Sequence, residues 1–134
     1  VVDRLASFRS ELSLSSKDNN VKDIVLMRCA FTSRNQSNIE HAKEAYLKYF
    51  KDNYGRLGVR DVVGSSGNQP QDYTMFLDRF VIGDPEHCIQ AIRGYQDMGV
   101  NYFVIVGSQL LGMPRKDVME SMELFATEVF PYLR

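Results

Sequence analysis

Histidine and cysteine are scarce in this chain: His41, His87, Cys29 and Cys88 are all it has among 134 residues. No CxxC or HxxxH spacing brings them together, so a closed zinc centre lacks its ligand set and no metal is expected. Both cysteines fall in apolar periodic segments, which predicts buried free thiols rather than a disulfide or a redox pair. No apolar run approaches the ~20 residues of a membrane span, and the opening residues do not have the pattern of a signal peptide. A reducing cytoplasm is the expected compartment. An excess of charge of one sign is also missing. Lys and Arg number 16 against 17 Asp and Glu, the net charge is -1, and the basic residues are scattered. That removes the concentrated basic surface that nucleic-acid and anionic-membrane binding require. There is no GxGxxG, no Ser/His/Asp grouping and no close carboxylate pair, so hydrolase and dinucleotide-fold chemistry lacks its residues.

What is present is ordinary in amount and regular in pattern. Hydrophobic residues make up 44% and charged residues 25%, the balance of a globular chain, and the length suits one domain rather than two. Val2, Leu5, Phe8 and Leu12 recur at spacings of three and four and predict a helix over 2–14, which the polar run SSKDNN at 15–20 ends. DIVLMRCAFTS, residues 23–33, reads as a strand. It is too apolar for a half-exposed edge, so both faces are expected to be covered, as in a parallel sheet. Residues 37–55 read as a helix, with Ser37 and Glu40 at capping-box spacing, a stripe of Ile39, Ala42, Tyr46, Tyr49 and Phe50, and Gly55 as its stop.

Residues 55–72 turn to glycine, serine, asparagine and proline and read as a long flexible loop within 55–78, with a turn of helix over 73–78 leading into the next strand; a mobile substrate lid is one reading of the loop. Phe80 to Ile82 is a short strand. Asp84 is a natural N-cap, Pro85 suits the first helical position, and Glu86 suits the positive end of the dipole. Ile89, Ile92, Tyr95 and Met98 form the buried stripe of that helix, and Gly99 ends it. Val100 to Val106 is a second buried strand, with Tyr102 and Phe103 read as core. Residues 115–130 form the last helix, with Val118, Met122, Phe125 and Val129 turned inward. Strands alternating with helices give parallel βαβ units. About three strands with flanking helices fit either a doubly wound sheet or part of a (β/α)8 barrel.

VIGDPEHCIQAIRGYQDMGVNYFVIV, residues 81–106, resembles the closing units of the bacterial-luciferase-like monooxygenases, a superfamily of flavin- or deazaflavin-dependent (β/α)8 enzymes. The features shared are Ile82-Gly83 at a strand end, Asp84-Pro85-Glu86 at a helix start, then Met98-Gly99-Val100 and Asn101 before an apolar strand. SMELFATEVFPYL, residues 121–133, resembles the family's final helix, and CAFTSRNQSNIEHAKEAY, residues 29–46, resembles its sixth strand and the helix after it. The match is good over 80–133 and looser over 22–50, and residues 55–78 carry none of it.

The resemblance implies an α/β chain that is the C-terminal portion of a TIM barrel. Residues 1–134 would be one partial domain, with 55–78 a loop inside it. It implies a piece of a cytoplasmic flavoprotein oxidoreductase, a monooxygenase using FMN or the deazaflavin F420 on a small-molecule substrate. A complete barrel needs ~250 residues; the earlier strands would hold much of the flavin pocket, and this chain alone is expected to be inactive. Apolar faces that had met those strands would then drive self-association as a homodimer or larger.

Barrel enzymes work at the C-terminal ends of their strands, here Thr32 and Ser33, Gly83, and Gly107 and Ser108. Gly107 and Ser108 are the candidates for binding the cofactor through backbone amides. Gly83, where a ligand can approach the backbone, and Arg28, which can meet an anionic substrate, are the candidates for substrate binding. For Arg28 a structural ion pair, or a side chain that points to a sheet edge, is the other reading. No catalytic residue is assigned. The alternative to the enzyme is a small non-catalytic α/β module that binds a ligand or partner.

Overall fold

The computed structural model describes residues 2–15, 23–56, 77–106 and 112–133. Helix α1 (Val2–Ser15) precedes strand β1 (Val25–Thr32), helix α2 (Gln36–Arg56), strand β2 (Val81–Gly83), helix α3 (Pro85–Asp97), strand β3 (Tyr102–Val106) and helix α4 (Arg115–Leu124). A π-helical turn, Phe125–Val129, and a 3-10 turn, Phe130–Tyr132, extend α4. The three strands form an all-parallel open sheet in the order β2-β1-β3. Most of the loop expected over 55–78 lies outside the described residues, as do Gly107 and Ser108.

β1 is the central strand. Ala30, Phe31 and Thr32 pair with Val81, Ile82 and Gly83 on one side, and Val25 to Cys29 pair with Tyr102 to Val106 on the other. Alternate strand residues point to opposite faces, and two cores follow. Phe31 and Ile82 pack with Ile39, Ala42 and Tyr46 of α2. Ala30 and Val81 pack with Cys88, Ile92 and Tyr95 of α3 and with Phe125 and Val129. α2 therefore covers one face and α3 the other, while α4 reaches both cores through Val118 and Phe125. In a barrel wound in sequence β2 would separate β1 from β3; here β1 takes the middle.

The helix termini follow from local chemistry. Asp84 accepts the amide of His87 at 2.8 Å, with Pro85 in the first turn, as the sequence predicts. At Gly99 φ is +87°, a left-handed conformation open to glycine, and α3 stops there. For α2 the cap is Asn35 rather than Ser37: the Asn35 side chain accepts the Ser37 amide at 2.9 Å, and Glu40 instead takes the Gln36 and Lys43 side chains. The helix also runs through Gly55 to Arg56.

The largest departure is in cover. Thr32, Phe31 and Val81 are fully buried, whereas Val25, Met27, Tyr102 and Val104 are exposed. The expectation that both faces of β1 are covered holds only for its C-terminal half, and Tyr102 is not core. On α4 the inward residue is Ser121, not Met122, which is exposed. Ser121 is needed there because its hydroxyl accepts the Thr32 amide at 2.9 Å, where β1 leaves the sheet.

Candidate ligand site at the strand ends

The C-terminal ends of β1 and β2 meet. The Ser33 amide donates to the Gly83 carbonyl at 3.2 Å, one step past the last paired residues. The Ser33 hydroxyl accepts the Asn35 amide at 3.1 Å, which bends the chain directly into α2. The N-termini of α2 and α3 thus start beside the two strand ends, each capped by its own side chain, Asn35 and Asp84. Thr32 Oγ1 is buried, with the Cys88 thiol as its polar neighbour.

Gly83 sits at the end of β2, as predicted, but its neighbour is protein. A Cβ built there would lie 2.6 to 2.9 Å from the His87 ring and Cβ. The missing side chain makes room for His87, and the close ligand approach expected at this glycine is taken up by the imidazole. His87 itself is exposed. The link to Gly83 is not read from the sequence; its signal is a histidine on the first turn of the helix that follows a strand-ending glycine.

Arg28 lies apart from this cluster. It is on the α3 side of mid-β1, its guanidinium 5.5 Å from the centre of the Tyr95 ring, within cation–π range. Its Nη1 donates to the Met27 carbonyl at 3.0 Å, and its buried Nε has no partner. Among the described residues no carboxylate pairs with it. The structure therefore does not bring Arg28 and Gly83 into one substrate site, and the group that faces the Arg28 guanidinium is the Tyr95 ring.

The thiols are inert by environment. Cys88 is fully buried, its Sγ 3.8 to 4.0 Å from the carbonyl oxygens of Phe31, Val81 and Gly83. Burial pushes its pKa up to about 11. Burial also raises Cys29, with the nearby Arg28 charge opposing. Tyr46 is raised well above its usual value by burial while donating to the Ala30 carbonyl at 3.4 Å. None of the three is poised as a nucleophile or base near neutral pH.

Among the described residues no group of three or more His, Cys, Asp or Glu could hold a metal, and no helix is long and apolar enough to cross a membrane. The cofactor-binding candidates Gly107 and Ser108 lie outside the described residues, and at Gly83, a substrate-binding candidate, His87 covers the backbone. No family model matches the chain, and no curated protein matches it.

Proposed function

We propose that this chain is the C-terminal part of a luciferase-like, flavin-dependent monooxygenase or oxidoreductase, inactive alone, whose complete form acts on a small molecule in the cytoplasm. The observation that carries the reading is one β–α–β unit in which each motif residue does the job its place in the family pattern demands. Gly83 ends β2, Asp84 caps α3 with Pro85 behind it, and Gly99 stops α3 in a left-handed turn. In the complete protein FMN or F420 supplies the oxygen or hydride chemistry. The residues of this chain close the barrel and orient its loops. The preceding strands take the edge of β1 that β3 occupies here, and β3 pairs with the other edge of β2.

A second reading is a small non-catalytic α/β binding or interaction module. It is favoured by the central place of β1 with α2 and α3 on opposite faces. Open doubly wound sheets of that kind bind ligands outside the carboxyl ends of their strands, where the strand order reverses. Both readings place the ligand at the same end of the sheet.

Reading the gene upstream of the Val1 codon and expressing its full product separates them. The enzyme reading expects ~150 to 200 further codons with βα periodicity. It also expects a product that quenches FMN or F420 fluorescence on titration, while residues 1–134 alone do not. A frame that stops just upstream, or a longer product that binds neither flavin, overturns it; the short frame leaves the module.

A further inference from the structure

We propose that Arg34 is the anion-binding residue of the strand-end site, and that Glu128 occupies it until an anionic ligand takes its place. Arg34 lies two residues past the end of β1 and two before the start of α2. Its guanidinium donates from Nη2 to Glu128 Oε2, on the π-helical turn that extends α4. The two residues stand 94 positions apart in sequence. Among the described residues Glu128 is the partner of that guanidinium, and the Arg34 side chain remains 63% exposed. A guanidinium carries a fork of N–H donors, and this contact engages one arm of it.

A carboxylate is thus already seated on Arg34, and it shows what the residue accepts. Two nearer acids do not supply it. Asp84, past the end of β2, accepts the His87 amide, and Glu40, early in α2, accepts from Gln36 and Lys43. Glu128 is brought in instead from the C-terminal helix. Buried Phe125 and Val129 set its turn against the α3 core, and the Ser121 hydroxyl of α4 holds the Thr32 amide at the end of β1. Single π-helical turns within a helix are rare and are found frequently at functional sites. The arrangement has the form of an autoinhibitory contact, with the chain's own carboxylate in the place of a ligand's.

The ligand this selects is a small molecule with an anionic oxygen group, a phosphate or a carboxylate, since both match the guanidinium fork. The inference rests on the reading, common to both functions proposed above, that ligands bind at this end of the sheet. Exposure sets the strength of the competitor. Exposed ion pairs hold weakly, so a ligand displaces Glu128 readily, and removing Glu128 is expected to tighten anion binding about two- to fivefold. A pair with only a structural role would leave anion affinity where it was.

The test is an NMR titration of isotope-labelled residues 1–134 with inorganic phosphate, and separately with acetate, at constant pH and ionic strength. The Ser33, Arg34 and Asn35 amides are expected to shift saturably, and the anion that binds more tightly names the head group. Arg34→Gln is expected to weaken binding about tenfold or more. Should Arg34→Gln lose its circular-dichroism signature of folding, Arg34→Lys keeps the charge, loses the fork and is expected to weaken binding in the same direction. Glu128→Gln is expected to tighten it about two- to fivefold. Lys43→Gln, in the Glu40 pair of α2, is expected to leave it unchanged. No saturable shift at these amides with either anion, binding that survives Arg34→Gln, or Glu128→Gln without tighter binding overturns the proposal. Flavin titration of the longer product is read separately: its failure removes the enzyme reading and leaves Arg34 standing, and failure at Arg34 leaves flavin binding untouched.

Discussion

The two ends of β1 make the clearest contrast in the molecule. From Ala30 to Thr32 the strand is sealed between α2 and α3, with Phe31 and Thr32 fully buried. From Val25 to Met27 the residues are just as apolar, yet every second one faces out. Hydrophobicity along a strand therefore states what a residue tolerates, and cover is decided by where the helices land. α2 starts at the carboxyl end because Ser33 and Asn35 turn the chain at once, and its buried residues Ile39, Ala42 and Tyr46 meet Phe31 and Ile82.

The sharpest test is to truncate one residue at each end. Phe31→Ala empties a dry site and is expected to destabilise the fold by about 3–5 kcal/mol in urea titration. Val25→Ala, at a mostly exposed site, is expected to cost less than about 1 kcal/mol. Equal costs would break the contrast. Next in size is Gly83→Ala, which forces a methyl into the His87 side chain and is expected to cost about 1–3 kcal/mol. Adding His87→Ala should recover part of that loss, because the ring contacts go while the Cβ contact stays. If Gly83→Ala is neutral, the backbone there is open after all, and the ligand-approach role returns.

The smallest effect concerns pH. The Cys88 pKa is about 11 in the fold against 9.0 for the ordinary thiol. The neutral thiol is favoured by the fold, so its contribution is complete below pH 9 and is lost as pH rises through about 11. Above pH 9 the unfolded chain releases this proton and the folded one keeps it, which lowers stability by at most ~1.4 kcal/mol per pH unit. Cys88→Ala should flatten that part of the alkaline slope. An unchanged slope would mean that the sealed end admits water.

Periodicity located the elements well where apolar and polar residues alternate. Ile39, Ala42 and Tyr46 on α2, Ile92 and Tyr95 on α3, and Val118, Phe125 and Val129 at the C-terminal end were all readable as core and are buried. The failures have physical causes. In a continuous run such as YFVIV, no alternation separates Tyr102 from Phe103, so burial is invisible. Asn35 and Ser37 are both good caps two residues apart, and the Ser33 hydroxyl, by holding the Asn35 amide, fixes which one serves. Ser121 displaces Met122 from the inward face because a departing strand amide needs an acceptor, a demand set 89 residues away. The strand ends, where the candidate site is expected, were readable as a place. The covering of Gly83 by His87 was not, because it depends on how the first turn of α3 sits on its strand. Strand order was out of reach too, since pairing across the sheet leaves no local mark.

The clamp at the open end of the sheet ties Ile24 to Asn101. The Ile24 amide donates to the Asn101 side chain at 3.0 Å, and the Asn101 amide returns to the Ile24 carbonyl at 2.9 Å, across 77 positions of sequence. Both neighbours of β1 lie downstream of it, so a chain emerging from a ribosome presents its central strand before either partner exists. At ~5–20 residues per second the wait for the far side is on the order of 4–15 seconds. The order of synthesis thus leaves the central strand of this sheet waiting for both of the neighbours it has here.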